Sequence, residues 1–535
     1  MNRRTFILSG LALAAVRASK AATSSVATTS RVEIIPDDTI GVISPNIYGH
    51  FTEHLGGCIY DGIWVGENSP VPNVGGIRKA LVDAMRRLKP PVIRWPGGCF
   101  ADSYNWRDGV GPRAGRPRRT NFWAASEYLA KGPDGPQKYD PNHFGTNEFV
   151  RFCRLAGAEP YLAANVRSAP ARDFYEWIEY CNSPAGSTTL ADLRAAGGER
   201  EPLNVGYWGV GNESWGCGGA FTGDEYAIEY RRFVEWVPRF ATPLHFIASG
   251  PNGSDSAWTR TFMTKLTEKG RSGLRNLYGL ALHYYAGSAG KRSATDFTPA
   301  EWYEMLVKAV RMDELIRSHW QILGEVDTSH QVKLIVDEWG AWHETADVAP
   351  NFLFGYFPSM RDALVSGLTL DIFNRHADKV AMANAAQLIN NIHSSFMASG
   401  DKFVTTPIFH VFEMYAAHQG GTSVRTEISS PRLSDAAAKG LYALAGSCSL
   451  QGKRAVLTIT NADHANAIET EIAVRGAQIS DVRATVLKSA DIRAHNTFED
   501  TKAVEPVAAP VGGGGPQLVY SFAPASVTRL EFTVA

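Results

Sequence analysis

From about residue 46 to residue 400, short apolar runs alternate with longer stretches of helical periodicity. The runs are Asn46–Phe51, Pro91–Trp95, Pro160–Ala164, Val205–Gly211, His245–Ser249, Leu277–His283, Leu334–Asp337 and Val380–Ala385. Short apolar runs bounded by turn residues read as buried strands. The stretches between them, such as Gly76–Leu88, Gly145–Ala156, Asp224–Pro238 and Pro299–His319, read as helices. Eight strand–helix repeats predict an α/β fold, a (β/α)8 TIM barrel over residues 46–402.

After residue 402 the pattern changes. Helical stretches become scarce, and β-rich segments appear at Gly440–Cys448, Arg454–Thr460, Ile468–Val474, Leu518–Phe522 and Ser526–Thr533. Turn signals separate them. Residues 403–535 are therefore expected to form a C-terminal antiparallel β-sandwich domain. Residues 31–45 also read as strands and are expected to join the sandwich, after a polar linker over 23–30.

Residues 1–22 carry Arg3-Arg4, a short apolar run and small residues near Ala21 and Ala22. This reads as a twin-arginine export signal, predicting a periplasmic or secreted protein. Arg17 interrupts the run, which is too short to span a bilayer. No other stretch has the roughly 18 apolar residues that a span needs, so the mature protein is expected to lack one. Net charge is −1, with no basic run, which argues against a nucleic-acid partner. The six cysteines match no zinc spacing. Twin-arginine substrates fold before export, in a reducing compartment, which predicts mostly free thiols.

In a barrel of this type, reactive side chains sit at the carboxyl ends of strands. The fourth run ends Tyr207-Trp-Gly-Val-Gly-Asn212-Glu213, and the seventh ends Lys333-Leu-Ile-Val-Asp-Glu338. Strands four and seven face each other across the barrel mouth. Two acids placed there are what glycoside hydrolysis requires: one protonates the leaving oxygen, and the other attacks the anomeric carbon or activates water. An Asn before the acid can bond the sugar 2-hydroxyl.

Beyond this pair, the motifs resemble glycoside hydrolase family 51, the retaining α-L-arabinofuranosidases. The resemblance is carried by Tyr48–Gly56 with Cys58–Gly66, Val92–Asp102, Trp208–Gly219, His283–Tyr285, Asp337–Trp339 and Met382–Asn390, in that order. It implies Glu213 as acid/base and Glu338 as nucleophile. It also implies that Glu53, Cys99, Asn212 and Gln387 bind hydroxyls of the arabinofuranosyl ring. Arg94 and Tyr285 would hold the nucleophile's carboxylate, and His283 would neighbour the acid/base. Trp215, Trp339 and Trp342, close to the catalytic motifs, are candidates for a sugar-stacking wall, and Trp123 for the leaving-group side. The implied partners are arabinose-containing oligo- and polysaccharides, and the implied assembly is a homo-oligomer. No cofactor or metal is expected, since double displacement needs only carboxylates and water.

Two departures bear on specificity. Residues 124–141 look like an insertion after the second strand, on the active face, and Gly340 stands where the family commonly has Asn. Endo-β-glucanase or β-xylosidase activity on the same barrel is one alternative. A non-catalytic secreted carbohydrate-binding protein is another, disfavoured because both acids are present. His50-Phe-Thr-Glu-His54 matches a zinc-peptidase pattern, but it falls at a strand end rather than on the helix such a site needs.

Overall fold

The computed structural model describes residues 30–121, 123, 139–287, 290–346, 348 and 353–535. Among the described residues, eight parallel strands close into a barrel. In chain order they are Gly49–Phe51, Val92–Trp95, Glu159–Ala164, Tyr207–Val210, His245–Ala248, Gly279–Gly287, Lys333–Trp342 and Val380–Ala386. The eighth closes on the first, with Ala385 beside His50. Each of the eight apolar runs supplies a barrel strand, although the first half of Asn46–Phe51 belongs to a 3-10 helix, Pro45–Tyr48.

The sixth and seventh strands outrun the prediction. They extend to Gly287 and Trp342, past His283 and Asp337, where the apolar runs stop. Register shifts between Ala281 and His283, and between Val336 and Trp339, interrupt the regular pairing. Such irregularities re-aim side chains at a barrel rim. They bring His283 level with Glu338 and Tyr285 level with Gly340. Below the rim, Val92, Tyr161, Ile247, Ala281, Ile335 and Met382 form a buried cluster of their own. One residue from each of six strands makes this a filled barrel interior rather than a pore.

The barrel helices carry local start signals. Before the helix Pro299–Val310, Thr298 Oγ1 accepts from the Glu301 backbone N–H and the Glu301 carboxylate accepts from the Thr298 N–H. Thr222 and Glu225 repeat the box before the helix Gly223–Val234. Each box satisfies donors that a helix N-terminus leaves unpaired.

A second sheet has nine strands among the described residues. Its spatial order is Val507–Ala509, Ile479–Lys488, Ser526–Val534, Arg454–Asn461, Leu444–Gln451, Thr422–Ser429, Ser30–Val42, Ile468–Val474 and Leu518–Phe522. All pairs are antiparallel except one. Ser30–Val42 runs parallel to Ile468–Val474 on one side and antiparallel to Thr422–Ser429 on the other. Val32 and Ile34 alternate with more exposed neighbours and enter the same core as Val424, Leu457 and Leu530.

The helix Met360–Arg375 couples the two units, touching the barrel strand Lys333–Trp342 and the sheet strands Leu444–Gln451 and Arg454–Asn461. Nearly every residue of it is buried, polar ones included. Asp371 accepts from Thr458 Oγ1, from Ser447 Oγ at 2.7 Å and from Tyr415 OH at 2.9 Å. Asn374 bonds Ser447 on the sheet side and Tyr48 on the barrel side.

Candidate active site

The fourth barrel strand ends at Val210, and Glu213 follows with a left-handed backbone, φ 39°. The Glu213 carbonyl accepts from the N–H groups of Gly216, at 2.7 Å, and Gly218, at 3.2 Å. A Cβ on Gly218 would lie 1.8 Å from the Asn212 carbonyl oxygen, so this turn requires glycine there. The turn brings Cys217 back against the Glu213 side chain. Behind it, buried Asp102 accepts from the backbone N–H groups of Val166, Arg167 and Asn212 and so fixes the start of the turn. Burial pushes the Asp102 carboxyl up to about 7, against those three bonds.

The seventh strand contributes Asp337 and Glu338, both buried. Arg94, on the second strand, reaches across beneath them. It donates to Glu338 Oε1 at 2.9 Å and to Asn212 Oδ1 at 2.7 Å, and its Nε lies 3.4 Å from Asp337 Oδ2. Tyr285 OH donates to the other oxygen of Glu338, at 2.9 Å. Burial raises the Glu338 carboxyl above its ordinary value, while the charges of His283 and Arg94 pull it down. For Asp337 burial also works upward, but Arg94 and His283 prevail and hold it below the ordinary carboxylate value.

His283 links the two strands' acids. Its Nδ1 lies 3.0 Å from Glu213 Oε1 and 3.4 Å from Glu338 Oε2, and its Nε2 lies 2.9 Å from Asp337 Oδ1. Burial opposes charge on the ring, yet the carboxylates of Glu338 and Asp337 outweigh it and push His283 up to about 10. The ring is therefore an imidazolium at neutral pH, donating from both nitrogens. Ligand atoms of Glu213, His283 and Glu338 all lie within 4.8 Å of one another.

Glu53, Gln387 and Trp123 line an adjoining wall. Glu53 accepts from the Phe100 N–H and from Trp123 Nε1, each at 3.0 Å, and from Gln387 Nε2 at 3.1 Å. Burial, reinforced by the charge of Glu338, pushes Glu53 up to about 7. The Trp123 ring meets Phe354 edge-on at 5.7 Å, Phe354 meets Trp342 at 5.3 Å, and Trp342 meets Tyr285 at 5.4 Å. These rings form one aromatic rim. Trp339 points away, into a core contact with Phe373 and Phe412.

All eleven residues singled out in the sequence thus fall in one connected cluster. The insertion read over 124–141 lies outside the described residues as far as 138. Its flanks are described: Arg119–Thr120 pairs with Tyr139–Asp140, and Trp123 stands on the wall. At the other departure, a Cβ on Gly340 would meet the His393 side chain at 2.8 Å, so His393 fills the space that a side chain there would need. The two histidines of the zinc-peptidase pattern diverge. His50 faces Ser395, whereas His54 faces Asp140 and Trp95.

The expectation of mostly free thiols holds for four of the six cysteines, with one pair as the exception. Cys99 and Cys217, 118 residues apart, form a disulfide, while Cys58, Cys153, Cys181 and Cys448 are free and buried. The turn that aims Glu213 also carries Cys217 to the Gly97-Gly98-Cys99 turn. Cys217, Asp102, Asp337 and Phe354 are site residues that sequence reasoning left without a role. Asp102 and Asp337 stood inside the quoted motifs, Asp337 at the end of the seventh apolar run, and that position was the available signal.

Known proteins share this sequence and fold. The profile of the α-L-arabinofuranosidase 1 domain matches residues 84–286, and that of the α-L-arabinofuranosidase C-terminal domain matches residues 337–526. An intracellular exo-α-L-arabinofuranosidase of Bacteroides ovatus is 34% identical over 91% of each chain. An intracellular exo-α-(1→5)-L-arabinofuranosidase of Streptomyces lividans is 29% identical, over 89% of this chain and 71% of that one. The crystal structure of the family 51 arabinofuranosidase from Xanthomonas axonopodis pv. citri superposes with a TM-score of 0.87 at 35% identity, covering 94% of this chain and all of that one.

These relatives correct the expectation of export, because both curated enzymes are intracellular by name. The twin-arginine reading of residues 1–22, which lie outside the described residues, is withdrawn with it. Among the described residues no helix is long and apolar enough to cross a membrane. Barrel, paired acids and family profiles agree, and the chain belongs to the α-L-arabinofuranosidases of glycoside hydrolase family 51.

Proposed function

We propose that the protein is a retaining, exo-acting α-L-arabinofuranosidase that removes terminal arabinofuranosyl units from arabinan or arabinoxylan. The observation that carries this reading is the pair Glu213 and Glu338 with His283 between them, ligand atoms within 4.8 Å of one another. Retaining glycosidases hold their two carboxyl groups about 5–5.5 Å apart, whereas inverting ones leave room for a water at about 6.5–9.5 Å.

In the first step a Glu338 oxygen attacks the anomeric carbon as Glu213 gives its proton to the departing oxygen. The carbon–oxygen bond to the leaving group breaks, and an ester to Glu338 forms. Arg94 and Tyr285 each bond one oxygen of Glu338 and so aim the carboxylate while it is charged. In the second step water attacks the anomeric carbon, the bond from that carbon to the Glu338 oxygen breaks, and Glu213 takes a proton from the water, which restores both acids. The imidazolium of His283 bonds Glu213 and balances the neighbouring carboxylates. Glu53, Asn212 and Gln387 bind ring hydroxyls, with Cys99 beside them. Trp123 and Trp342 stack on the sugar or its leaving group. The catalytic unit spans 46–402, and the sandwich over 403–535 braces it from behind through the helix Met360–Arg375.

The exo reading is supported by the rim of Trp123, Phe354 and Trp342, which walls one side of the cluster. The test is chromophore release from 4-nitrophenyl α-L-arabinofuranoside, with the β-D-xyloside, the β-D-glucoside and a soluble β-glucan in parallel. Selective turnover of the arabinofuranoside, with NMR showing the retained anomer first, supports the proposal. Cleavage of the β-glucan, or early appearance of the inverted anomer, overturns it.

A further inference from the structure

Glu213 belongs to two clusters. One, with His283 and Glu338, is the catalytic trio. The other joins it to Cys99 and Cys217, again with all three ligand atoms within 4.8 Å of one another. Glu213 Oε2 lies 3.7 Å from Cys217 Sγ and 3.9 Å from Cys99 Sγ. Two sulfurs and a carboxylate oxygen are the ligand chemistry of a thiophilic divalent cation such as zinc, and not of magnesium or calcium.

The backbone is spaced for this role. The Cα atoms of Cys99 and Cys217 are 5.6 Å apart. Zinc–sulfur bonds of about 2.3 Å in tetrahedral geometry place two thiolates about 3.7 Å apart, a separation that side-chain rotation alone reaches once the disulfide opens. A zinc–oxygen bond of about 2.0–2.2 Å then needs only a small shift of the Glu213 carboxylate. Three protein ligands leave the fourth position to water.

We propose that Cys99, Cys217 and Glu213 form a redox-gated zinc site. Opened by reduction, the site binds Zn2+ and ties up the carboxylate that serves as acid/base; closed as a disulfide, it does not. Opening takes two electrons and two protons, which a dithiol supplies by becoming a disulfide itself. A phosphine supplies the electrons by becoming a phosphine oxide with the oxygen of water, whose two protons go to the sulfurs. Binding of Zn2+ then releases both thiol protons and the proton that Glu213 holds as the acid, and forms two zinc–sulfur bonds and one zinc–oxygen bond. A reducing compartment therefore exposes the enzyme to zinc, and an oxidising one protects it. The loss of rate rests on the acid role proposed for Glu213, but retention of the metal does not.

The experiment uses the full chain, half of it reduced with a phosphine and desalted without oxygen. Both halves are dialysed against Zn2+ and, separately, against Co2+. The reduced chain is expected to retain one ion and to show a thiolate-to-cobalt charge-transfer band. Its turnover should fall about 10²–10⁴-fold, the usual contribution of a general acid, and return on adding a chelator. The oxidised chain should show none of these changes. Reduced Cys217→Ser should lose the charge-transfer band and the tight retention. If that variant does not fold, alkylation of the reduced wild type with iodoacetamide makes the same test. Equal retention in both redox states, or none in either, overturns the site. Retention with full turnover overturns Glu213 as the third ligand. A chain inactive on arabinofuranosides in every state would count against the proposed function, while dialysis and the cobalt spectrum would still decide the metal site.

Discussion

Two groups of carboxylates can be set side by side, all of them buried except Glu213, which is part-exposed. At the barrel mouth, Asp337, Glu338 and Glu213 are interleaved with two cations, Arg94 and His283. At the junction with the sandwich, Asp371 is equally buried but faces hydroxyls, those of Ser447, Thr458 and Tyr415. Arg375 on its own helix is the nearby cation, and it spends a donor on the Gly446 carbonyl. Burial therefore pushes Asp371 up to about 7, while Asp337 is held below its ordinary value. Buried ion pairs are costly to assemble and add little net stability. A fold that only needed to join two units would use the hydroxyl arrangement, and the junction does. The mouth keeps charges because a nucleophile must be ionised.

The largest expected effect separates the groups by rate. Glu338→Gln should lower kcat at least about 10⁴-fold, the scale on which lost nucleophiles are measured, with thermal unfolding close to wild type. Loss of folding instead of rate, read by calorimetry beside single-turnover kinetics, would erase the contrast. Next, Glu213→Ala should cost about 10²–10⁴-fold on substrates with poor leaving groups. Azide should restore turnover of the 4-nitrophenyl substrate with retained configuration, whereas Glu338→Ala should give an inverted azide. Exchanged products would exchange the two roles.

At the junction the effects should be on stability. Thr458→Val removes a donor to a buried carboxylate and should cost about 1–3 kcal/mol in denaturant unfolding, with kcat/KM unchanged. The last effect is a slope. Asp371 titrates at about 7 in the folded chain and at about 3.9 when unfolded. The folded state holds that proton more tightly, so its contribution is full below about pH 4 and is lost as pH rises to about 7. Glu53 and Asp102 are raised to the same range, so the measurement is a difference. Asp371→Asn should show a shallower decline of unfolding midpoint across that window than wild type. Equal slopes would mean that Asp371 is ionised in the fold.

The eight barrel strands were legible because each is a compact apolar run between turn residues. Glu213 and Glu338 were legible because strand ends are where this fold carries its chemistry. The junction was not. Its helix, Met360–Arg375, is buried on every side, so it lacks the apolar stripe that marks a packed face, and its polar residues look like solvent contacts. Nor was the Cys99–Cys217 pair, since 118 residues of sequence say nothing about two turns meeting over one carboxylate. The aromatic rim was half visible. Trp123 and Trp342 stood near motifs, but Phe354, which joins them, lies in a loop without periodicity.

The strand Ser30–Val42 has a consequence in time. Ser30 bonds Ser429, 399 residues later, and the strand's parallel neighbour comes later still. At about 5–20 residues per second, a ribosome needs roughly 20–80 s to make that partner. Throughout that interval the nascent chain carries a strand whose Val32 and Ile34 have no core to enter and whose two edges are open. Newly made chains are thus most exposed to aggregation late in synthesis, and a factor that shields extended apolar segments would find its target in Ser30–Val42.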